Sequence, residues 1–307
     1  LPDEALALIR RAAKDADPEA VVLGEVWEDA VTKTSYGARR KYALGESLDS
    51  VMNYPFRSAV LDFLTFRSDA RALADFLLGQ RLNYPAPLYF SLMNLVSSHD
   101  VDRARTALAT RLDARSMTRE QQAGFIITDA QDERGCAMQR LAAAIQFAIP
   151  GVPSVYYGDE TGMNGMLDPF DRAPFTVGKR PLVDWYSKLA ELRNENDALS
   201  IGAAGFSAPD ADVLTVLRFV GGGRDEFGLE AENGAFLAVI NRSAYEKRIV
   251  ADLWAGHAGL TDAETSSLRA SGITRARCLL SGDSAAVSEG LVQLTLPPES
   301  ARIYRLI

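Results

Sequence analysis

The chain has 307 residues, 47% of them hydrophobic and 24% charged, a composition that suits one large globular domain with a smaller one attached. Its net charge of −8, with Lys and Arg scattered rather than clustered, speaks against nucleic acid as a partner, because that binding is carried by basic side chains on phosphate. No apolar run reaches the ~18 residues of a membrane span. Cys136 and Cys278 form neither a disulfide framework nor a metal-ligand spacing, so two free buried thiols, no cofactor, no metal and a cytoplasmic setting are expected. The chain opens on Leu1 rather than Met and reads as starting inside a domain.

Residues 1–17 read as a helix: Pro2 suits a first helical position, Asp3 and Glu4 suit the positive end, and Pro18 stops it. Ala5, Leu6, Leu8, Ile9, Ala12 and Ala13 make a broad apolar face for packing on a sheet. Val21-Val22-Leu23-Gly24 follows as a buried strand and runs into Glu25. A second strand starts near 48–54, and a helix rich in Leu, Phe and Ala is predicted over 57–78. The third strand is Leu92-Met93-Asn94-Leu95-Val96, closed by Ser97-Ser98-His99-Asp100. Residues 102–130 are polar and read as a long loop with a short helix, before a strong helix over 132–149 ended by Pro150-Gly151. Val152-Pro153-Ser154-Val155-Tyr156-Tyr157 gives the fourth strand, followed by Gly158-Asp159-Glu160. A loop over 163–178 carries Asp168-Pro169-Phe170-Asp171-Arg172, and a last helix covers 181–196. Helices alternating with strands in this way imply a parallel sheet with helical crossovers.

Beyond residue 199 the pattern changes to short alternating runs at 213–220, 235–241, 247–253, 275–280, 291–296 and 302–306, separated by Gly and polar residues. That pattern predicts an antiparallel β-sandwich of about a hundred residues. Gly221-Gly222-Gly223 reads as a flexible loop and not a phosphate cradle, since no Gly-Lys-Ser/Thr helix start follows it.

Two acidic residues, Glu25 and Asp100, thus end separate parallel strands. A barrel gathers strand ends over one cleft, and glycoside hydrolysis commonly works with two carboxyl groups across the scissile bond. Taken alone, His99 and Asp100 fit equally well as caps of the next helix. Trp27, Tyr54, Phe56 and Tyr157, also near strand ends, offer apolar faces for sugar rings.

Val22-Leu23-Gly24-Glu25-Val26-Trp27 resembles the acid/base motif of the α-amylase family of glycoside hydrolases, and Val96-Ser97-Ser98-His99-Asp100 resembles that family's His-Asp motif. Gly151-Val152-Pro153-Ser154-Val155-Tyr156-Tyr157-Gly158-Asp159-Glu160 is similar to its last barrel strand and following loop, as are Asp168-Pro169 and Arg172 downstream. The resemblance covers residues 1 to 185, the tail Leu294-Thr295-Leu296-Pro297-Pro298-Glu299-Ser300-Ala301 resembles the family's C-terminal domain, and the flavour is that of neopullulanases and cyclomaltodextrinases. It implies an α/β fold: residues 1–198 as strands five to eight of a (β/α)8 TIM barrel, then an all-β sandwich over 199–307. It also implies roles. Glu25 is the general acid and then the base, a role that a partly apolar pocket favours; Asp100 grips the reacting sugar and helps its distortion; His99 hydrogen-bonds the same sugar. Trp27, Tyr54, Tyr157 and Arg172 complete the substrate-binding set, although Arg172, like Arg103, reads first as an ion-pair partner that holds a loop. Asp159 and Glu160 read as loop-ordering residues, and His257 as a surface histidine.

The family's nucleophile, an Asp in an Arg-x-Asp motif ending the fourth barrel strand, has no counterpart before Leu1, and Leu1-Pro2-Asp3-Glu4 looks like the stretch just after it. The expected partners are therefore an α-glucan or maltooligosaccharide and the N-terminal half of the barrel. The expected function is a retaining glycosidase of α-glucans or cyclodextrins that is inactive as this chain alone. Asp29, Asp49 and Asp159 are the substitutes for the nucleophile that position allows. The competing readings are a non-catalytic carbohydrate-binding or interaction protein, and an α-glucosidase or transglycosylase parent. Two departures from the family pattern bear on substrate: Val101-Asp102 follows Asp100 in place of a Thr-Pro pair, and Ala173-Pro174-Phe175-Thr176 lacks a Trp.

Overall fold

The computed structural model describes residues 1–177 and 180–307; Gly178, where the loop predicted over 163–178 ends, lies outside the described residues. The first part of the chain runs α1 (Asp3–Ala16), β1 (Leu23–Gly24), a small hairpin of β2 (Thr34–Ser35) and β3 (Ala38–Arg39), β4 (Ser50–Val51), α2 (Tyr54–Leu64), α3 (Ala70–Asn83), α4 (Ala86–Ser91) and β5 (Met93–Leu95). It continues with α5 (Ala104–Thr110), α6 (Arg119–Ala123), α7 (Asp129–Ala148), β6 (Val152–Ser154), α8 (Arg180–Asn194) and α9 (Asp197–Ser200). β1 pairs in parallel with β4, Met52 bridges in parallel to Met93, and β5 pairs in parallel with β6. Four parallel strands thus lie side by side in sequence order, as one half of a barrel.

Several local expectations are corrected. No helix joins β1 to β4; the β2–β3 hairpin and turns make that crossover. The helix expected over 57–78 is two helices, because Phe66 adopts a left-handed φ of 66° and Asp69 caps a fresh start by accepting from Ala72 N. Residues 102–130 hold α5, whose Ala104 and Leu108 are fully buried. Pro2 is the N-cap of α1, not its first helical residue. The apolar set on α1 is only partly covered: Ala5, Leu6 and Ala13 are half-buried, no residue of the helix is fully buried, and Leu8 is 63% and Ile9 48% exposed. What fixes α1 is charge, through Arg10 and Lys14 on Asp49 and Asp3 on Arg40. Leu23 on β1 and Val152 on β6, the two flanking strands, are exposed as well.

The remainder is β7 (Ala203–Asp210), β8 (Val213–Val220), β9 (Gly234–Asn241), β10 (Lys247–Asp252), α10 (Asp262–Ala270), β11 (Arg275–Cys278), β12 (Ser284–Ser288), β13 (Leu291–Leu296) and β14 (Ser300–Leu306). All these strands pair antiparallel in the order β10-β13-β12-β11-β14-β9-β8-β7, which curls toward a closed sandwich as β10 returns near β7. β7, β12 and α10 were not legible as runs. Side chains alternate across β8 and β9: Val213, Leu217, Leu237 and Val239 fill the sandwich interior with Ile249, Val292 and Leu294. Leu214, Val216, Ala238 and Ile240 turn the other way, into one core with Leu73 and Leu77 of α3 and Leu141 and Ile145 of α7. β8 is buried on both faces for that reason.

Buried arginines brace the junction: Arg218 joins the two parts, and Arg193 ties the ends of α7 and α9 within the first. Arg218 on β8 donates to the carbonyls of Ala148, Leu199 and Gly202, and Arg193 on α8 to those of Phe147, Ile149 and Leu199. Of the two free thiols, Cys278 is buried and Cys136 half-buried.

Candidate active site

The strand ends gather the site residues read from the sequence. β1 delivers Glu25 one residue past its last pair, and β5 runs into Ser97, Ser98, His99 and Asp100. Beneath them is a buried amide layer. Asn53 and Gln80 exchange hydrogen bonds, Asn53 also donates to Asn94, and Asn94 donates to the Pro150 carbonyl. Gln146 donates to the carbonyls of Asn94 and Ser154, which locks β5 to β6. Gly151 is required beside it: its φ is +100°, and a Cβ there would lie 2.5 Å from Asn94 Nδ2. A barrel floor fixed in this way sets the height of the loops above it.

Glu25, His99 and Asp100 converge, with one side-chain N or O atom of each within 4.8 Å of the others. The three are accessible to solvent, so reagents reach them. Asp100 does not cap the next helix, since α5 starts at Ala104 with Arg103 as its N-cap. Its Oδ1 accepts from Arg172 Nη2 at 3.1 Å and its Oδ2 lies 3.6 Å from His99 Nε2. Arg172 also donates to the His99 carbonyl and pairs with Asp168, so it holds the carboxylate from the side.

Trp27 and Tyr54 stack with ring centroids 3.9 Å apart and planes 7° apart. Tyr54 is buried, and it meets the site through its hydroxyl rather than its face. That hydroxyl donates to Glu25 Oε1 at 3.1 Å and lies 3.0 Å from Ser98 Oγ, which accepts from Asp100 N. Burial pushes the Tyr54 phenol up to about 12, helped by the Glu25 charge and opposed by Ser98. The sequence named Tyr54 for its ring and Ser98 only as part of the His-Asp motif, with no role of its own. Trp27 and Tyr54 also border a cavity of about 550 Å³ that runs between α2 and α5, with Arg57, Asp62, Asp102 and Asp113 among its walls.

Other residues named from sequence lie elsewhere. Phe56 is fully buried in the helical core and faces no cleft. Tyr157 is 39% exposed, packs edge-on to Tyr156 and donates to the Ala173 carbonyl. Arg103 is fully buried between the Tyr156 and Tyr157 rings, donating to the carbonyls of Asp171 and Tyr157. Asp159 is buried 3.5 Å from Arg103, its carboxyl pushed up to about 7 chiefly by burial. Asp49 serves Arg10, Lys14 and the Val22 amide, and Asp29 caps the turn at Val31 and Thr32. None of these three carboxylates shares the Glu25 cluster. His257 is buried rather than exposed: its Nδ1 donates to the Asp252 carbonyl and its Nε2 pairs with Thr215 Oγ1.

Residues 3–196 match the family described as Alpha amylase, catalytic domain. The chain belongs to the α-amylase family. Relatives within it include the cyclomaltodextrinase of Thermoanaerobacter pseudethanolicus, 33% identical over 199 residues that make up 63% of this chain and 29% of that protein. The amylopullulanase of Thermoanaerobacterium thermosulfurigenes is 29% identical over 310 residues, 95% of this chain and 15% of that protein. Among solved structures, an Anoxybacillus α-amylase superposes with a TM-score of 0.72 at 21% identity, over 100% of this chain and 56% of that one; this likeness speaks to fold. The chain therefore spans a third or less of these two curated relatives and about half of that α-amylase. Neopullulanase 2 of Thermoactinomyces vulgaris, 32% identical over 198 residues that make up 63% of this chain and 28% of that protein, matches the flavour read from the motifs.

Proposed function

We propose that the strand ends form the acid and sugar-gripping side of a retaining α-glucan hydrolase whose nucleophile is supplied from outside these 307 residues. The observation that carries the reading is the convergence of Glu25, His99 and Asp100 within 4.8 Å at the C-terminal ends of parallel strands, where barrel enzymes keep their chemistry. Glu25 gives its proton to the glycosidic oxygen as the C1–O bond breaks, the leaving sugar departs as an alcohol, and the nucleophile's oxygen takes C1. Water then replaces that oxygen while Glu25 takes the water's proton. Asp100, with Oδ1 held by Arg172 and Oδ2 beside His99, has remaining lone pairs for the sugar's hydroxyls and so acts as a grip. Maltooligosaccharides and cyclodextrins are the proposed substrates, supported by relatives named cyclomaltodextrinase and neopullulanase. An α-glucosidase or transglycosylase is the neighbouring alternative.

The partner in this reading is the N-terminal half of the barrel. It would cover Leu8, Ile9, Leu23 and Val152, the apolar surface that α1 and the two flanking strands leave in water. A division into a barrel part over 1–198 and a sandwich over 199–307 belongs to the same proposal. No helix among the described residues is long and apolar enough to cross a membrane. The free thiols of Cys136 and Cys278 support a cytoplasmic setting. The test is hydrolysis of maltotriose and β-cyclodextrin by the 307-residue chain with and without the nucleophile-bearing barrel half. Activity only in the mixture is expected; efficient hydrolysis by the chain alone overturns the nucleophile assignment, and sugar binding without turnover in both supports a binding protein instead.

A further inference from the structure

We infer that Tyr54 and Ser98 are positioning residues that anchor one oxygen of Glu25 and leave the other to carry the transferable proton. This rests on the reading of Glu25 as the acid. The hydrogen-bond directions fix themselves from one end. Asp100 N–H can only donate, and it donates to Ser98 Oγ at 3.2 Å. Glu25 Oε1 accepts from the Tyr54 hydroxyl at 3.1 Å. The middle contact, 3.0 Å between Ser98 Oγ and the Tyr54 hydroxyl, then has one arrangement that spends each proton once: Ser98 donates to Tyr54. The line runs Asp100 N–H, Ser98, Tyr54, Glu25 Oε1, and each hydroxyl in it both donates and accepts, an arrangement whose bonds strengthen one another.

Two consequences follow for the carboxyl. Oε1 is occupied as an acceptor in both protonation states, so the proton of the acid form sits on Oε2, for which the described residues provide no hydrogen bond. The same line ties the acid to the backbone of Asp100, so the acid and the sugar grip share one frame. The Tyr54 ring cannot swing out of that line, since it is 3% exposed and lies flat against Trp27. Arg172 holds the Asp100 carboxylate independently, so loss of the Tyr54 hydroxyl releases Glu25 and spares the grip.

Tyr54→Phe keeps the ring stack and removes only the hydroxyl, and two measurements decide. In a crystal structure of the 307-residue Tyr54→Phe chain, the Glu25 carboxylate should leave its place against residue 54 or split into several rotamers, with Asp100 still on Arg172; an unmoved, ordered Glu25 overturns the inference. In the assembled enzyme, Tyr54→Phe should lower kcat on maltotriose by about 10- to 100-fold with KM little changed, yet cost less than about 3-fold on a dinitrophenyl maltoside, whose leaving group needs no proton. Equal losses on both substrates, or none on maltotriose, overturn it. An assembled wild-type enzyme that hydrolyses neither substrate removes the proposed function, and the crystal structure still decides the anchoring.

Discussion

Arg172 and Asp100 come from the loops after β6 and β5 and meet at 3.1 Å, with Arg172 Nη2 donating to Asp100 Oδ1. The contact closes the site across two strand ends, and the same guanidinium reaches Asp168 and the His99 carbonyl. Arg172→Ala removes all three at once. Both partners are partly exposed, so the stability cost should stay below about 1 kcal/mol, while a freed Asp100 rotates away from the sugar. The expected result is a loss of roughly 10-fold in maltooligosaccharide affinity by calorimetry with an almost unchanged melting temperature. Arg172→Lys should recover little of it, because a single ammonium cannot hold three acceptors spread over two loops.

Trp27 stacks on Tyr54 while remaining 40% exposed, so it serves the fold with one face and offers the rest of the ring to the cleft. Trp27→Ala should cost about 1–2 kcal/mol in denaturant unfolding, the worth of a stacked aromatic pair plus its buried area. It should also weaken sugar binding. Trp27→Phe restores most of the stability and less of the binding, since the smaller ring covers Tyr54 but reaches less far into the cleft. Equal recovery of both would mean that Trp27 only supports Tyr54.

Which parts of this site were legible in the sequence depends on the range of the signal. The strands ending in Glu25 and Asp100 were legible because apolar runs bounded by polar turns leave a local trace, and the family motifs sit on those runs. The break at Phe66 was not, because a left-handed residue between two apolar helices leaves the helical period intact on both sides; Ser68-Asp69 was the cue that a new helix starts. β7, with its small residues Ala203, Ala204 and Gly205, has too little hydrophobic contrast to read as a strand and is set by pairing with β8. The burial of His257 was hidden because its partners are a carbonyl and Thr215, 42 residues away. The Tyr54–Ser98 contact spans 44 residues, and no periodicity reports a hydroxyl pair at that distance.

His257 makes stability depend on pH in a defined sense. Burial pushes its imidazole down to about 4 from an ordinary 6.5, with the Asp252 carbonyl acting the other way. Between pH 6.5 and 4 the unfolded chain binds a proton that the folded chain refuses, so stability falls as the pH falls through that window, by roughly 3 kcal/mol in all. Asp159, raised to about 7 by burial, works in the opposite direction, which is why the measurement is a comparison. Denaturant unfolding of wild type and His257→Gln at pH 7, 6 and 5 should show the variant less stable at pH 7 and the gap closing toward pH 5. A gap independent of pH would mean that the buried ring takes up its proton over the same pH range as in the unfolded chain.

Arg218 tests how firmly the sandwich is welded to the half-barrel. Its guanidinium is fully buried, and it donates to the carbonyls of Ala148 at the end of α7, Leu199 in α9, and Gly202 and Ala203 entering β7. The Ala148 and Leu199 carbonyls lie in the last turns of α7 and α9, which have no intrahelical donor, so Arg218 supplies what the backbone there lacks. Arg218→Met keeps the apolar stem and removes every donor; Leu199 keeps its bond from Arg193, while the Ala148 and Gly202 carbonyls lose theirs at about 1–3 kcal/mol each. A loss of at least ~3 kcal/mol is expected even after partial repair by water. Arg248→Met is the control: the Arg248 side chain is 83% exposed and, among the described residues, pairs only with Glu246 two residues away, so its loss should fall within about 0.5 kcal/mol. Near-UV and far-UV signals should still unfold together in Arg218→Met if the shared core of α3, α7, β8 and β9 couples the two parts. Separation into two transitions would show that the arginine, and not the apolar contact, makes them one cooperative unit.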